Sequence, residues 1–238
     1  MAAIKVKDES EFRSLLDGLS RDIVDAHIYW KLWKDIDELL KASPEVYNES
    51  STFWYYTLNA YLRTALASLA RAFDQEESSL HLKSWLITIR EHQYLFTKSA
   101  FARRCSGDPF AKWLLKDAKE PDIAVLAADI GSCSMTDPDV SALYKYRSTV
   151  VAHRGAKLTK QGANAQFPNI DVELIERLLE RASAILNRYS MLFNATAYGM
   201  TPVGHDDVKR VVRSVQRDLT DARERVEAQV AALVGKQQ

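Results

Sequence analysis

The chain is poor in the residues that interrupt helices: its 238 residues include only 8 Gly and 6 Pro. A strand-rich fold with many tight turns is thereby disfavoured, and long helices joined by short connections are expected. Cysteine is scarcer still. Cys105 and Cys133 are the only two, and neither has a second thiol at metal-ligand spacing. A reduced, cytoplasmic setting is expected over a disulfide scaffold. Charge of one sign is missing too, because 32 Lys and Arg balance 32 Asp and Glu. A global basic field for nucleic acid is excluded, so any anion binding must come from a local patch. No apolar run approaches the roughly 18 residues of a membrane helix, and the N-terminus lacks the apolar stretch of a secretory signal. No membrane partner is expected.

What remains is ordinary globular material, 47% hydrophobic and 27% charged, in a chain long enough for a sizeable core. From about Ser10 to Lys41, Phe12, Leu16, Leu19, Ile23, Ala26, Trp30 and Trp33 recur in steps of four and three, one apolar stripe on one helix. Ser43-Pro44 closes it. Trp54, Leu58, Tyr61, Leu62, Ala65, Leu69 and Phe73 outline a second helix ending near Asp74. Leu82, Trp85, Leu86, Ile89 and Gln93 mark a third, followed by an irregular stretch through Ser106-Gly107-Asp108-Pro109.

Short helices are expected over 110–119 and 121–133. The helix over 138–154 is better marked: Asp137 suits the N-cap, Pro138 the first turn, and Gly155 the C′ position. A polar loop spans 156–169. Ile175, Leu178, Ala182, Ile185, Tyr189 and Leu192 then outline a long helix over 171–197. Tyr198 to Gly204 reads as a linker, after which Val208, Val212, Val215, Leu219, Ala222, Val226, Gln229 and Leu233 keep a strict four-three alternation. That helix is too amphipathic to stand alone in water. The pattern predicts an all-α, up-and-down helical bundle over residues 1–198. Residues 199–238 then form a linker and a C-terminal amphipathic helix that packs on the bundle or on a dimer partner.

One segment carries chemistry. Projected at about 100° per residue, Leu143, Tyr146, Arg147, Val150, His153 and Arg154 fall within an arc of roughly 120°. Lys145, Arg147, Arg154, Lys157 and Lys160 follow one another with no acidic residue between them. His transfers protons near neutral pH and Arg pairs bidentately with phosphate oxygens, a workable kit for a phosphodiester. In RNA the 2′-hydroxyl is an internal nucleophile, so neither a metal nor a cofactor is required. By charge and periodicity alone, however, basic residues near a helix C-terminus read as macrodipole complementation on a surface.

Tyr146-Arg147 followed by His153, late in a helix of an all-α chain, resembles the signature of the HEPN superfamily. The wider run Leu143-Tyr-Lys-Tyr-Arg147-Ser-Thr-Val-Val-Ala-His153-Arg154-Gly155 is similar to its subgroup of phage abortive-infection proteins of the Abi-U type. So is the upstream Leu69-Ala-Arg-Ala-Phe73-Asp74, with Ser79-Leu80 before an amphipathic helix. The likeness spans roughly residues 10–195. It implies a bundle that dimerises so that two Arg–His motifs face each other, and an endoribonuclease or RNA-binding role in phage defence or toxin–antitoxin function. Arg147 would stabilise the scissile phosphate and His153 would act as general acid or base. Tyr146, Ser148, Arg154, Lys145 and Lys157 would contact RNA, and a cognate antitoxin or regulatory protein is a further implied partner. Many active members carry Asn, Asp or His directly after the Arg, where this chain has Ser148. The alternative is a non-catalytic helical protein that dimerises and docks a protein partner.

Other candidates have plainer readings. Asp74 reads first as the end of a helix, and second as an acidic partner of the Arg–His motif. His27, near Asp22 and Asp25, diverges from them around its helix. His81 and His92 lack a carboxylate cluster between them and read as core-edge or surface residues. His205-Asp206-Asp207 reads as the start of the last helix. No phosphate-binding loop, nucleophile elbow or zinc-protease string is present.

Overall fold

The computed structural model describes residues 3–116, 118–151, 160 and 170–234. Among these it is all-α, with no strand, and the α-helices are α1 Glu9–Ala42, α2 Pro44–Glu49, α3 Ser51–Ala72, α4 Leu82–Glu91, α5 Lys98–Arg104, α6 Ala111–Lys116, α7 Ile123–Ser132, α8 Pro138–Tyr146, α9 Val172–Asn194 and α10 Val208–Val234. A 3₁₀ turn, Gln93–Phe96, links α4 to α5. The segment expected to be irregular therefore contains α5. It begins at an N-cap, Thr97, whose side chain accepts from the Ala100 N–H, a signal too local for apolar periodicity to register. Helix α2 leaves no apolar stripe in the sequence either, because six residues give it little room for one.

The chain forms two compact units, residues 1–28 with 63–200, and residues 29–62 with 201–238. Residues 29–62, read from the sequence as part of the bundle, thus group with the C-terminal helix. In the first unit Phe12, Leu16, Leu19, Ile23 and Ala26 of α1 are fully buried, as their spacing predicts. Phe12 packs at 4.8 Å from Phe193 and 5.5 Å from Phe96, and Trp85 lies 6.1 Å from both Phe12 and Tyr189. Each such aromatic pair adds about 0.5–1.5 kcal/mol beyond its buried area.

Arg104 is held inside this unit. Its Nε donates to the Phe193 carbonyl and its Nη2 to the Leu95 carbonyl, both at 2.6 Å. The guanidinium also pairs with Glu9 at 3.0 Å and lies 4.1 Å over the Phe193 ring. Carbonyl, carboxylate and ring together compensate the desolvation of a buried cation.

In the second unit Ile36, Leu40, Val46, Trp54 and Val212 form a smaller core, flanked by Leu58, Tyr61, Val208 and Val215. The Trp54 indole donates to the Val46 carbonyl at 3.2 Å. The first half of α10 thus packs within its own chain.

Candidate functional site

The site helix is positioned from its N-terminus. Asp137 accepts hydrogen bonds from the N–H groups of Asp139 (3.0 Å) and Val140 (3.1 Å), with Pro138 in the first turn. This is the cap the sequence predicts. Arg177 of α9 then grips Asp139 at 2.8 Å, and Arg181 pairs with Asp137 at 2.9 Å and with Asp139 at 3.3 Å. Hydrogen bonding to Arg177 holds the Asp139 carboxyl below its usual pKa despite some burial, so Asp139 stays ionised and paired into more acidic solution than a free carboxylate would. With Val140 and Leu143 buried beneath, α8 is anchored along its length.

At Arg147 the expected helix changes form. Instead of continuing as an α-helix to residue 154, the chain enters a π-helical turn over Arg147–Val151. Thr149 Oγ1 donates back to the Lys145 carbonyl at 2.8 Å, a side-chain bond that competes with the regular ladder. π-Turns are rare and concentrate at functional sites. The arc projected at about 100° per residue thus stops being valid at Arg147, since it assumed uninterrupted α-geometry.

The principal contact of the motif is an ion pair. Arg147 Nη1 donates to Asp74 Oδ1 at 2.6 Å, with side-chain exposures of 32% and 8%. The same carboxylate oxygen accepts from the Gln75 N–H at 2.8 Å and the Glu76 N–H at 3.4 Å. A nearly buried carboxylate needs such compensation, and here one cation and two backbone donors supply it. Asp74 therefore follows the end of α3 and also partners the motif. Among the described residues the other guanidinium donors have no partner, and a third of the side chain reaches solvent.

The loop carrying Asp74 is itself held. Gln75 Nε2 donates to the Cys133 carbonyl at 3.0 Å and to the Phe73 carbonyl at 2.9 Å, tying the end of α3 to the end of α7. Beyond it, His81 is fully buried and caps α4. Its Nδ1 accepts from the Ser84 N–H at 3.3 Å, while Ser84 Oγ accepts from the His81 N–H at 3.1 Å. Burial pushes the imidazole pKa down to about 4, although the nearby Asp74 charge opposes the shift. His81 is thus neither at the core edge nor on the surface, and its signal in the sequence was the three-residue spacing to Ser84.

The other expected residues divide. Tyr146 and Ser148 are half-buried beside Arg147, and Lys145 is exposed. His153, Arg154 and Lys157, with the expected C′ residue Gly155, lie outside the described residues. His27 Nε2 sits 2.9 Å from the Leu179 carbonyl, a helix-to-helix tie. Among the described residues no group of three or more His, Cys, Asp or Glu is arranged to hold a metal ion. None of the described helices is long and apolar enough to cross a membrane. Burial raises the Cys133 thiol pKa to about 12, which leaves it unreactive.

The family model for HEPN AbiU2 matches residues 9–220. The match runs past Ala195 and includes the first half of α10, which the motif-level likeness had left out. No curated protein matches, and neither does any solved structure. A match over most of the chain, with an all-α fold and an Arg147 motif anchored by α3 and α8, settles the affiliation: the chain belongs to the HEPN-like abortive-infection AbiU2 family.

Proposed function

We propose that this protein is a metal-independent endoribonuclease of phage defence or toxin–antitoxin function, working as a homodimer whose two Arg147–His153 motifs share one site. The observation that supports this most is Arg147 itself. It is oriented by a nearly buried Asp74, is still partly exposed, and opens a π-turn at the start of the motif. A guanidinium fixed at one nitrogen is pre-organised for an anion, so less entropy is lost when phosphate oxygens meet its other donors.

In this reading the RNA 2′-hydroxyl loses its proton and its oxygen bonds to phosphorus. The bond from phosphorus to the 5′-oxygen breaks, leaving a 2′,3′-cyclic phosphate and a 5′-hydroxyl. One proton leaves the 2′-hydroxyl and one is given to the departing 5′-oxygen. His153 carries one of these transfers and water or the partner subunit's His153 the other, while Arg147 stabilises the extra negative charge on the phosphoryl oxygens. Tyr146, Ser148, Lys145, Arg154 and Lys157 would hold the strand. The family resemblance supplies the roles of His153 and of the dimer, and the geometry around Arg147 supports the phosphate-binding role.

The deciding measurement is cleavage of mixed RNA by purified protein in excess chelator. Wild-type protein is expected to cut, while Arg147→Ala and His153→Ala each lose about 100-fold or more, as when a transition-state donor is removed. Asp74→Asn keeps the shape but removes the charge that orients Arg147. It is expected to lower turnover by about tenfold with the fold retained. Intact RNA with wild-type protein under all these conditions would overturn the nuclease reading.

A further inference from the structure

Helix α10 extends well beyond what it packs against. Val212 is buried and Val208 and Val215 are partly covered in the core of their own unit. From Arg223 to Val234 every residue is exposed, including Val226 at 58% and Leu233 at 67%. The apolar stripe does not stop where the packing stops. Leu219, Ala222, Val226, Gln229 and Leu233 continue the same alternation as Val208, Val212 and Val215, along the face that is buried in the first turns. A helix of this length with its apolar seam in water is marginal by itself. The family match ends at Thr220, so most of the open seam lies beyond the part shared with the family.

We infer that this half of α10 is an interaction surface for a second copy of the same chain, packed in parallel and in register as a short coiled coil. The alternation places Leu219, Val226 and Leu233 at a positions and Ala222 and Gln229 at d positions of a heptad. Charge supports this partner. Asp218 falls at g and Arg223 at the following e position, and neither has an ion pair among the described residues. In a parallel pair, Asp218 of each copy meets Arg223 of the other, giving two attractive contacts.

Gln229 settles the direction. In register it faces Gln229 of the second copy, so the two amides satisfy each other. Every antiparallel register that closes the stripe sets it against an apolar a residue instead, leaving a buried amide unpaired.

Cross-linking of the full-length chain tests the inference. Cys105 and Cys133 are buried, so a thiol introduced by Gln229→Cys is the reactive one. Mild oxidation is expected to give disulfide-linked dimers on a non-reducing gel. Glu224→Cys, on the opposite helix face, is expected to give about tenfold fewer. Adding Val226→Asp or Leu233→Asp to Gln229→Cys is expected to abolish the link while retaining most of the helical circular dichroism, with any loss confined to the end of α10. A Gln229→Cys thiol that reacts with maleimide but forms no dimer overturns the proposal. So does equal cross-linking at Glu224→Cys, or a preparation in which a different protein is captured and no self-dimer forms. The cross-link is expected to persist in the Arg147→Ala background, so its failure and a failure of the nuclease reading remain distinguishable.

Discussion

Helices α9 and α10 look alike as sequence and behave oppositely as structure. Both carry a clean apolar stripe over more than twenty residues, yet α9 buries ten residues while α10 buries only Val212. Periodicity states which face of a helix avoids water, but nothing about what covers that face. In α9 the cover is the aromatic group of Phe12, Phe96 and Trp85. In α10 the five-residue core of the second unit covers only the first turns. The lesson is that stripe quality and burial are separate quantities.

The contrast can be broken or sharpened by substitution. The largest effect is expected from Phe193→Ala in α9, which removes a fully buried ring touching Phe12, Phe96 and Arg104. Chemical denaturation should show a loss of about 3–5 kcal/mol. A loss below about 1 kcal/mol would mean that this core is looser than its contacts suggest.

Acid comes next, and it acts on the same unit. His81 is buried neutral with its pKa near 4, while in the unfolded chain it titrates near the usual 6.5. Between those values the unfolded state binds the extra proton, so stability is retained above about pH 6.5 and falls as pH drops toward 4. The full span amounts to roughly 3 kcal/mol. His81→Gln should flatten that part of the stability–pH curve, and an unchanged slope would remove His81 as its cause.

Smaller effects are expected in α10. Val212→Ala should cost about 1–2 kcal/mol, since it opens space in a small core. Leu233→Ala, on the exposed half, should change the stability of dilute protein by less than about 0.5 kcal/mol. If Leu233→Ala destabilises as much as Val212→Ala, the free seam is already covered under those conditions. A dependence of that cost on protein concentration would identify a second copy as the cover.

Much of this is legible in the sequence. The stripes of α1, α4 and α9 are buried along most of their length. In the α3 stripe Trp54, Ala65, Leu69 and Phe73 are buried, whereas Leu58, Tyr61 and Leu62 are only half-buried. Asp137-Pro138 starts α8 as its residue types predict. What escaped was short or non-local. Helices α2 and α5 have too few turns for a period, and α5 is marked by one cap and one buried arginine. Asp74 was visible as a helix end, but its partner stands 73 positions later, so only folding could show the contact. The π-turn at Arg147 escaped because projection assumes regular geometry. Lys145, Tyr146, Ser148 and Arg147 were legible as a motif, whereas the orientation of Arg147 was not.

By itself, then, the sequence determined the helical class, the apolar faces, the α8 cap and the family motif. Each of these follows from residues within a few turns of one another, where local sterics and periodicity decide. The tertiary structure alone decided that Asp74 restrains Arg147 and that His81 is buried neutral. It also decided that α9 is covered while the end of α10 is bare. Those outcomes depend on which distant surfaces meet, and a one-dimensional pattern has no term for that.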